Sequence, residues 1–310
     1  MRNPFSSRNA ELVLVDLSDQ SVRYLVVRPS SDSMKLLAVG ELASSSEQAD
    51  DLSLATRLRE ALDQVPVKCK SAILLLSRPQ IESVAETLPP STNEELPSLV
   101  ASIVAQHSDE AEAKIIDFMV TSDASDESLD VLAMTCDRSA VEESVADFRG
   151  NGFAIPVITY AGLGAVELLG EVAHQKLSLA VSITFGQKVT NIAFLREARP
   201  VLFRTLHRSF DPTSDYAEAL AAELHRTLAF AGAGDQDSIQ FYMVGCRDEL
   251  RDIASFLAEE TSSSVSITGV VDLFDDAAVD ANANASYYAN LIGVASAVIH
   301  DRLEINFANP

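Results

Sequence analysis

The chain has 310 residues, 46 of them acidic and 23 basic, for a formal net charge of -23. Its 47% hydrophobic content is enough for a sizeable core and excludes a disordered chain, which needs low hydrophobicity as well as high charge. The charge also sets nucleic acid aside as a default partner, because phosphate binders cluster Lys and Arg, and it disfavours adsorption to an anionic membrane.

The acid excess is uneven. Residues 107–150 hold twelve acids against Lys114, Arg138 and Arg149. The stretch reads either as a solvated acidic face or as a docking face for a basic partner segment. Cys69, Cys136 and Cys246 are scattered and odd in number, which fits a reducing compartment rather than a disulfide framework. The five histidines form no HxH, HxxxH or HExxH spacing, so no metal site is read. The N-terminus lacks the apolar core of a signal peptide. The apolar run Leu291–Ile299 falls far short of the ~20 residues of a membrane helix. A soluble cytoplasmic chain is expected.

In chain order, Leu12–Val15 and Val22–Val27 flank the polar turn 16–21 and predict a hairpin, with a third strand over Leu36–Leu42. Leu54, Leu58 and Leu62 recur every four residues ahead of Pro66, the spacing of a one-faced helix. Ala72–Leu76 is a continuous apolar run suited to a strand buried on both faces. Ser91 with Glu94, and Ser139 with Glu142, have capping-box spacing before helical patterns; Pro97 falls in the first turn of the first of these, where proline is tolerated. A strand is expected over Leu129–Thr135, and Gly150–Gly152 ends the helix after it.

The second half predicts strands at Leu177–Phe185, Val189–Leu195 and Val201–Leu206. A helix over Ser214–Ala231 follows, with Tyr216, Leu220, Leu224 and Leu228 on one face. Then come a strand at Ile239–Val244, a helix at Asp248–Glu260, a strand at Val265–Ile267 and a last helix at Ser286–Arg302.

Setting Asp16 against Thr184 aligns VDLSDQSVRYLVV with ITFGQKVTNIAFL, two strand–turn–strand units that each open a half of the chain. An internal duplication is looked for before a fold is argued. Two such halves suggest the α/β, two-lobed actin-like (ribonuclease-H-like) architecture.

Three segments then carry a family resemblance: LVLVDLSDQSVRYLVV, SAILLLSRPQIESVAETLPPSTNEELPSLVASIVAQ, and LDVLAMTCDRSAVEESVADFRGNGFAIPVITYAGLGAVELL. Together with ITFGQKVTNIAFLREARPVLFRTL they resemble the PilM-like family of type IV pilus assembly proteins, and more distantly FtsA and GspL. The similarity spans about residues 11–310. It implies a first lobe over 1–176 containing an inserted 1C-type α/β subdomain at about 70–152. A second lobe would follow over 177–310, with a tail at 303–310. It also implies a cytoplasmic scaffold at the inner membrane whose cleft holds the short tail of a membrane partner, PilN in pilus systems. Self-association is left open.

Actin-like enzymes hold nucleotide phosphates in the two hairpin turns, so the resemblance places Asp16, Ser18, Gly186, Thr190 and Gly245 around ATP with Mg²⁺ if nucleotide binds. Each turn departs from the active pattern. Ser18 stands for a glycine, Thr184 for a carboxylate, and Gly245 is followed by Cys246 rather than a second glycine. The expectation is a pseudo-ATPase without cofactor or catalytic residues; the alternative is a genuine ATPase of the same fold. Asp16–Asp19 also fits an ordinary hairpin turn. Lys188 and Arg23 are the basic residues near the turns. Arg196, Arg199, Arg204 and Arg208 form an island expected to neutralise neighbouring acids.

The sequence ends Leu303-Glu304-Ile305-Asn306-Phe307-Ala308-Asn309-Pro310. This resembles the Ile-Asn-Leu-Leu-Pro segment that opens the membrane partner in pilus systems. Two expectations follow: the chain is the cytoplasmic part of a longer membrane protein, or its tail docks on a neighbouring molecule. A frayed terminus is the plain alternative. The function expected is non-enzymatic assembly of a type IV pilus or type II secretion-like platform.

Overall fold

In the computed structural model the described residues are 11–17, 22–30, 34–42, 52–108, 110–122, 128–169, 179–186, 189–211, 213–230, 238–245, 247–269 and 285–310. The expected lobe boundary at 176/177, and with it Ser18, Lys188 and Cys246, lies outside them.

β1 (Leu12–Asp16), β2 (Val22–Pro29) and β3 (Met34–Leu42) form an antiparallel meander, extended in parallel by β4 (Ser71–Leu76) and β8 (Ala154–Tyr160). The sheet order is β3-β2-β1-β4-β8. The second half repeats it. β9 (Leu179–Phe185), β10 (Thr190–Arg196) and β11 (Arg199–Leu206) form the meander, and β12 (Ile239–Gly245) and β13 (Ser264–Gly269) extend it as β11-β10-β9-β12-β13. The duplication read from two hairpins therefore extends over ten strands in the same order.

Central strands are buried on both faces, which is why they read as continuous apolar runs rather than alternating ones. Val13 and Val15 of β1 pack with Leu58 and Leu62 of α1 (Leu54–Asp63). Leu12 and Leu14 pack on α7 (Ala289–Ile299). In the second sheet, Leu179, Val181 and Ile183 pack against α5 (Ser214–Phe230) and α6 (Arg247–Thr261).

A third sheet is inserted between β4 and β8. It has the order β5-β7-β6, from β5 (Glu82–Leu88), β6 (Lys114–Val120) and β7 (Leu129–Asp137). Its small core joins Val131 and Ala133 to Val100 and Val104 of α2 (Leu96–His107). β4 belongs to the first large sheet, so the inserted sheet starts at Glu82 rather than at 70. α3 (Arg138–Gly150) returns the chain to β8, and Gly152 takes the left-handed conformation (φ 78°) that glycine adopts without penalty.

Neither expected capping box forms. The Glu95 carboxylate accepts from the Thr92 backbone N–H and hydroxyl (both 2.9 Å), one position beyond the Ser91/Glu94 pair. Ser139 lies inside α3, whose N-cap is Asp137.

α4 (Gly162–Glu167) and α7 pack between the two large sheets. They touch backbone to backbone: a Cβ on Gly293 would lie 1.9 Å from the Gly164 carbonyl oxygen, and one on Gly164 would lie 2.1 Å from that of Asn290. Past α7, Asp301 turns left-handed (φ 56°) and the Arg302 N–H bonds to the Ala297 carbonyl (2.8 Å). This helix-ending turn sends the chain back toward β8.

Candidate functional site

Two places gather polar groups with a constructive geometry: the strand ends that meet the start of α7, and a groove beside β8.

Side chains alternate faces along a strand, so Asp16 shares the α7-facing side of β1 with Leu12 and Leu14. It is 4% exposed and stands directly across the ladder from Arg23, itself 2% exposed. Opposite charges directly across an antiparallel pair attract one another. The Arg23 guanidinium also lies 4.8 Å from the ring centre of Tyr287, just before α7, a cation–π distance. In the second sheet Ser182 and Thr184 face α4 and α7. The Ser182 hydroxyl donates to the Ala165 carbonyl (3.0 Å), and the Thr184 hydroxyl donates to Asn290 Oδ1 (3.0 Å). The aligned positions Asp16 and Thr184 thus both lie on the α7 side of their strands.

Thr190 does not join them. It pairs with Phe185, facing α5, and its hydroxyl is hydrogen-bonded to the Tyr216 hydroxyl. Gly186 closes the hairpin through its N–H to the Val189 carbonyl (2.7 Å), and Gly245 is the buried last residue of β12, paired with Gly269. Of the residues expected around a nucleotide, Asp16 therefore faces a buried cation and Thr190 points to the other side of its sheet. The hydroxyl of Thr184, where a carboxylate was expected, is spent on Asn290. Among the described residues no cluster of His, Cys, Asp or Glu has metal-holding geometry. Cys69 and Cys136 are buried, and burial pushes both thiols up to about 12.

The groove is built from β8, β6 and the C-terminal segment. Ile305 is fully buried and Phe307 is 2% exposed, packed into the core shared by the first sheet and the inserted one. The Phe307 N–H donates to the Ile158 carbonyl (2.8 Å), and the Ile158 N–H donates to Asn306 Oδ1 (3.1 Å), so both backbone groups of one edge-strand residue are bonded by the segment as if by another strand. Asn306 Nδ2 donates to the Pro156 carbonyl (3.1 Å), while Oδ1 also accepts from the Ala308 N–H (3.1 Å). The Asn306 backbone N–H donates to Asp117 Oδ2 (2.6 Å). Burial raises the Asp117 carboxyl above the usual range, against the lowering pull of the Asn306 and Phe118 N–H groups. Burial also raises Glu304, and the neighbouring Arg199 opposes it.

Rather than fraying, residues 305–307 fill a groove of their own chain. Asn290, Tyr287 and Asp117 had no place in the sequence reading. The only local signal for each is a polar residue inside an apolar or aromatic run, ANLIGV, SYYAN and IIDFM.

The sequence matches no family model and no curated protein. Solved structures are similar. A PilM–PilN type IV pilus biogenesis complex superposes with a TM-score of 0.74 at 16% identity, covering 93% of this chain and 98% of that one. A Bacteroides thetaiotaomicron protein with an actin-like ATPase fold gives 0.53 at 12%, with 88% and 95% covered. The cytoplasmic domain of EpsL, an inner-membrane component of the Vibrio cholerae type II secretion system, gives 0.51 at 13%, with 96% and 98% covered. Repeated sheet order, paired central helices and these likenesses agree: the chain has the two-lobed actin-like fold with an inserted α/β subdomain, in the form seen in PilM.

Proposed function

We propose that this protein is a non-enzymatic scaffold of a type IV pilus or type II secretion-like assembly platform, on the cytoplasmic side of the inner membrane, in which the groove beside β8 receives a membrane-partner tail. The observation that carries this reading is the docked Ile305-Asn306-Phe307 segment. Its Asn satisfies backbone groups of β8 while its two apolar side chains are fully covered. A peptide that adds main-chain bonds to a strand and inserts alternate side chains is a general recognition mode. The fold shared with a PilM–PilN complex, and the likeness of the segment to a PilN-type opening, support a PilN-like occupant. On this reading the chain carries a copy of the partner's segment in cis. No helix among the described residues is long and apolar enough to cross a membrane, so membrane attachment is assigned to the partner or to sequence joined to the tail.

We assign no hydrolysis to the strand ends, on the support of the Asp16–Arg23 pairing and the engaged Thr184 and Thr190 hydroxyls. Calorimetry decides between this and the ATPase alternative. ATP with Mg²⁺ should show no binding tighter than ~1 mM, about -4 kcal/mol, and tighter binding overturns the pseudo-ATPase assignment. For the groove, a labelled Leu303–Pro310 peptide is titrated into an Ile305→Asp/Phe307→Asp variant, whose own tail is expelled. Saturable binding supports the receptor reading. No binding to a folded variant defeats it.

A further inference from the structure

The groove that takes the tail has one wall on β8, inside a five-stranded sheet, and the other on β6, an edge strand of the three-stranded inserted sheet. The position of the second wall depends on what holds β6 to the rest of the molecule. Within the strand, Asp117 accepts from the tail's Asn306 N–H. Just past its end, the Ser122 carbonyl accepts from the guanidinium of Arg199, a second-lobe residue 77 positions away. Ser122 is in turn tied to β7: its hydroxyl accepts from the Asp130 N–H (2.8 Å), and the neighbouring Thr121 N–H donates to the Asp130 carbonyl (2.8 Å). Arg199 therefore bonds to the end of a strand pair rather than to a slack loop.

Arg199 is also presented from a fixed turn. It opens β11 directly after Glu197 and Ala198, which are both left-handed (φ 50° and 69°). A two-residue hairpin turn of that hand matches the twist of its strands, but Asn and Gly are the residues that favour it. Glu and Ala hold it at a steric cost, and such a conformation persists where its surroundings over-determine it. Ala198 supplies one of those contacts, packing on the core cluster that contains Met119 of β6 together with Ile305 and Phe307. Leu303 packs on the same cluster, and Glu304 lies near enough to Arg199 for the guanidinium's charge to favour its ionised form. Second lobe, inserted sheet and tail thus meet around one side chain.

We infer that Arg199 is a positioning residue for the tail groove: by holding the end of β6 to the second lobe, it keeps Asp117 where the tail can bond to it. Contacts that favour the same arrangement support one another reciprocally, so a docked tail should also steady the Arg199–Ser122 contact. This goes beyond the receptor reading, because it concerns how the groove is held and stands whether or not a partner's segment ever enters it.

The test is amide hydrogen exchange, resolved to single residues, on the full chain. Arg199→Ala should raise exchange at Phe307 and Thr121 by roughly tenfold, within what loss of a hydrogen bond from a charged donor allows. Val181, in a central strand of the second sheet, should exchange as in the parent. Ile305→Asp/Phe307→Asp, which expels the tail, should raise exchange at Thr121 in turn. Arg204→Ala, on the same strand as Arg199, should change neither amide, which separates the contact from the mere loss of a positive charge. Parental exchange at Phe307 in Arg199→Ala overturns the assignment, as does a rise at Val181 as large as that at Phe307, the mark of a second lobe that merely folds less well. Unchanged exchange at Thr121 once the tail is expelled, or an Arg204→Ala variant that behaves like Arg199→Ala, overturns it too. Because the probe is the chain's own tail, such a failure leaves the receptor reading to its separate peptide titration.

Discussion

The strand ends at α7 and the groove at β8 solve the same problem, buried polar groups, in opposite ways. At the strand ends, partners come from rigid elements: Thr184 meets Asn290 within a helix wedged between sheets, and Asp16 faces Arg23 across one ladder. At the groove, the β8 backbone is satisfied by an irregular terminal segment, which can leave without unfolding either sheet. A site completed by the core is held by rigid elements, whereas one completed by a terminal segment lasts only while that segment stays docked.

That contrast can be broken by substitution. The largest effect is expected at Phe307→Ala, since truncating a fully buried phenylalanine costs roughly 3–5 kcal/mol. Because the tail can detach, the loss should appear as proteolytic cleavage near residue 305 with little change in the melting of the sheets. Gly293→Ala should behave the other way. Its methyl would collide with backbone at 1.9 Å, and overpacking of about 1–3 kcal/mol should lower the global Tm while leaving the tail protected. If both substitutions acted globally, the two sites would not be independent.

Asn306→Asp sharpens the groove side. It removes the donor to the Pro156 carbonyl and brings a carboxylate close to Asp117, for a cost of about 2 kcal/mol. Amide exchange at Ile158 should rise accordingly. Thr184→Val at the strand ends leaves Asn290 Oδ1 without its donor, at about 1–2 kcal/mol, readable as a reduced denaturation midpoint.

The smallest effect is that of pH. Asp117 and Glu304 have raised pKa values in the folded chain, so the folded state holds protons that the unfolded chain has already lost. Tail protection should be greatest below the unfolded carboxyl range and fall as pH rises through the raised values. Asp117→Asn should flatten that slope, and protection that instead increased with pH would reverse the assignment.

Much of the fold was legible because β1, β4, β9 and β12 are doubly buried runs and α5 keeps its four-residue spacing. β5 was not: it covers only Leu88 and otherwise reads as a polar segment, ESVAETL. β6 was hidden by Lys114, buried, and Asp117, half-buried, each engaged by a partner in another element. The capping boxes misled because Ser91/Glu94 and Thr92/Glu95 satisfy the same spacing, and only the turn geometry chooses. For the site, Asp16 was visible at a strand end, but its counterpart Thr184 finds Asn290 across 106 residues and Asp117 finds Asn306 across 189. Such separations leave no periodicity to detect.

The left-handed turn at Asp301 leaves only a few residues between the end of α7 and Ile305. A ligand on so short a tether is presented to its groove at an effective concentration of order mM. A free segment making the same contacts must therefore reach about that concentration to displace half of it. A competitor that acts at ordinary cellular levels must either hold the groove with additional contacts or be concentrated locally.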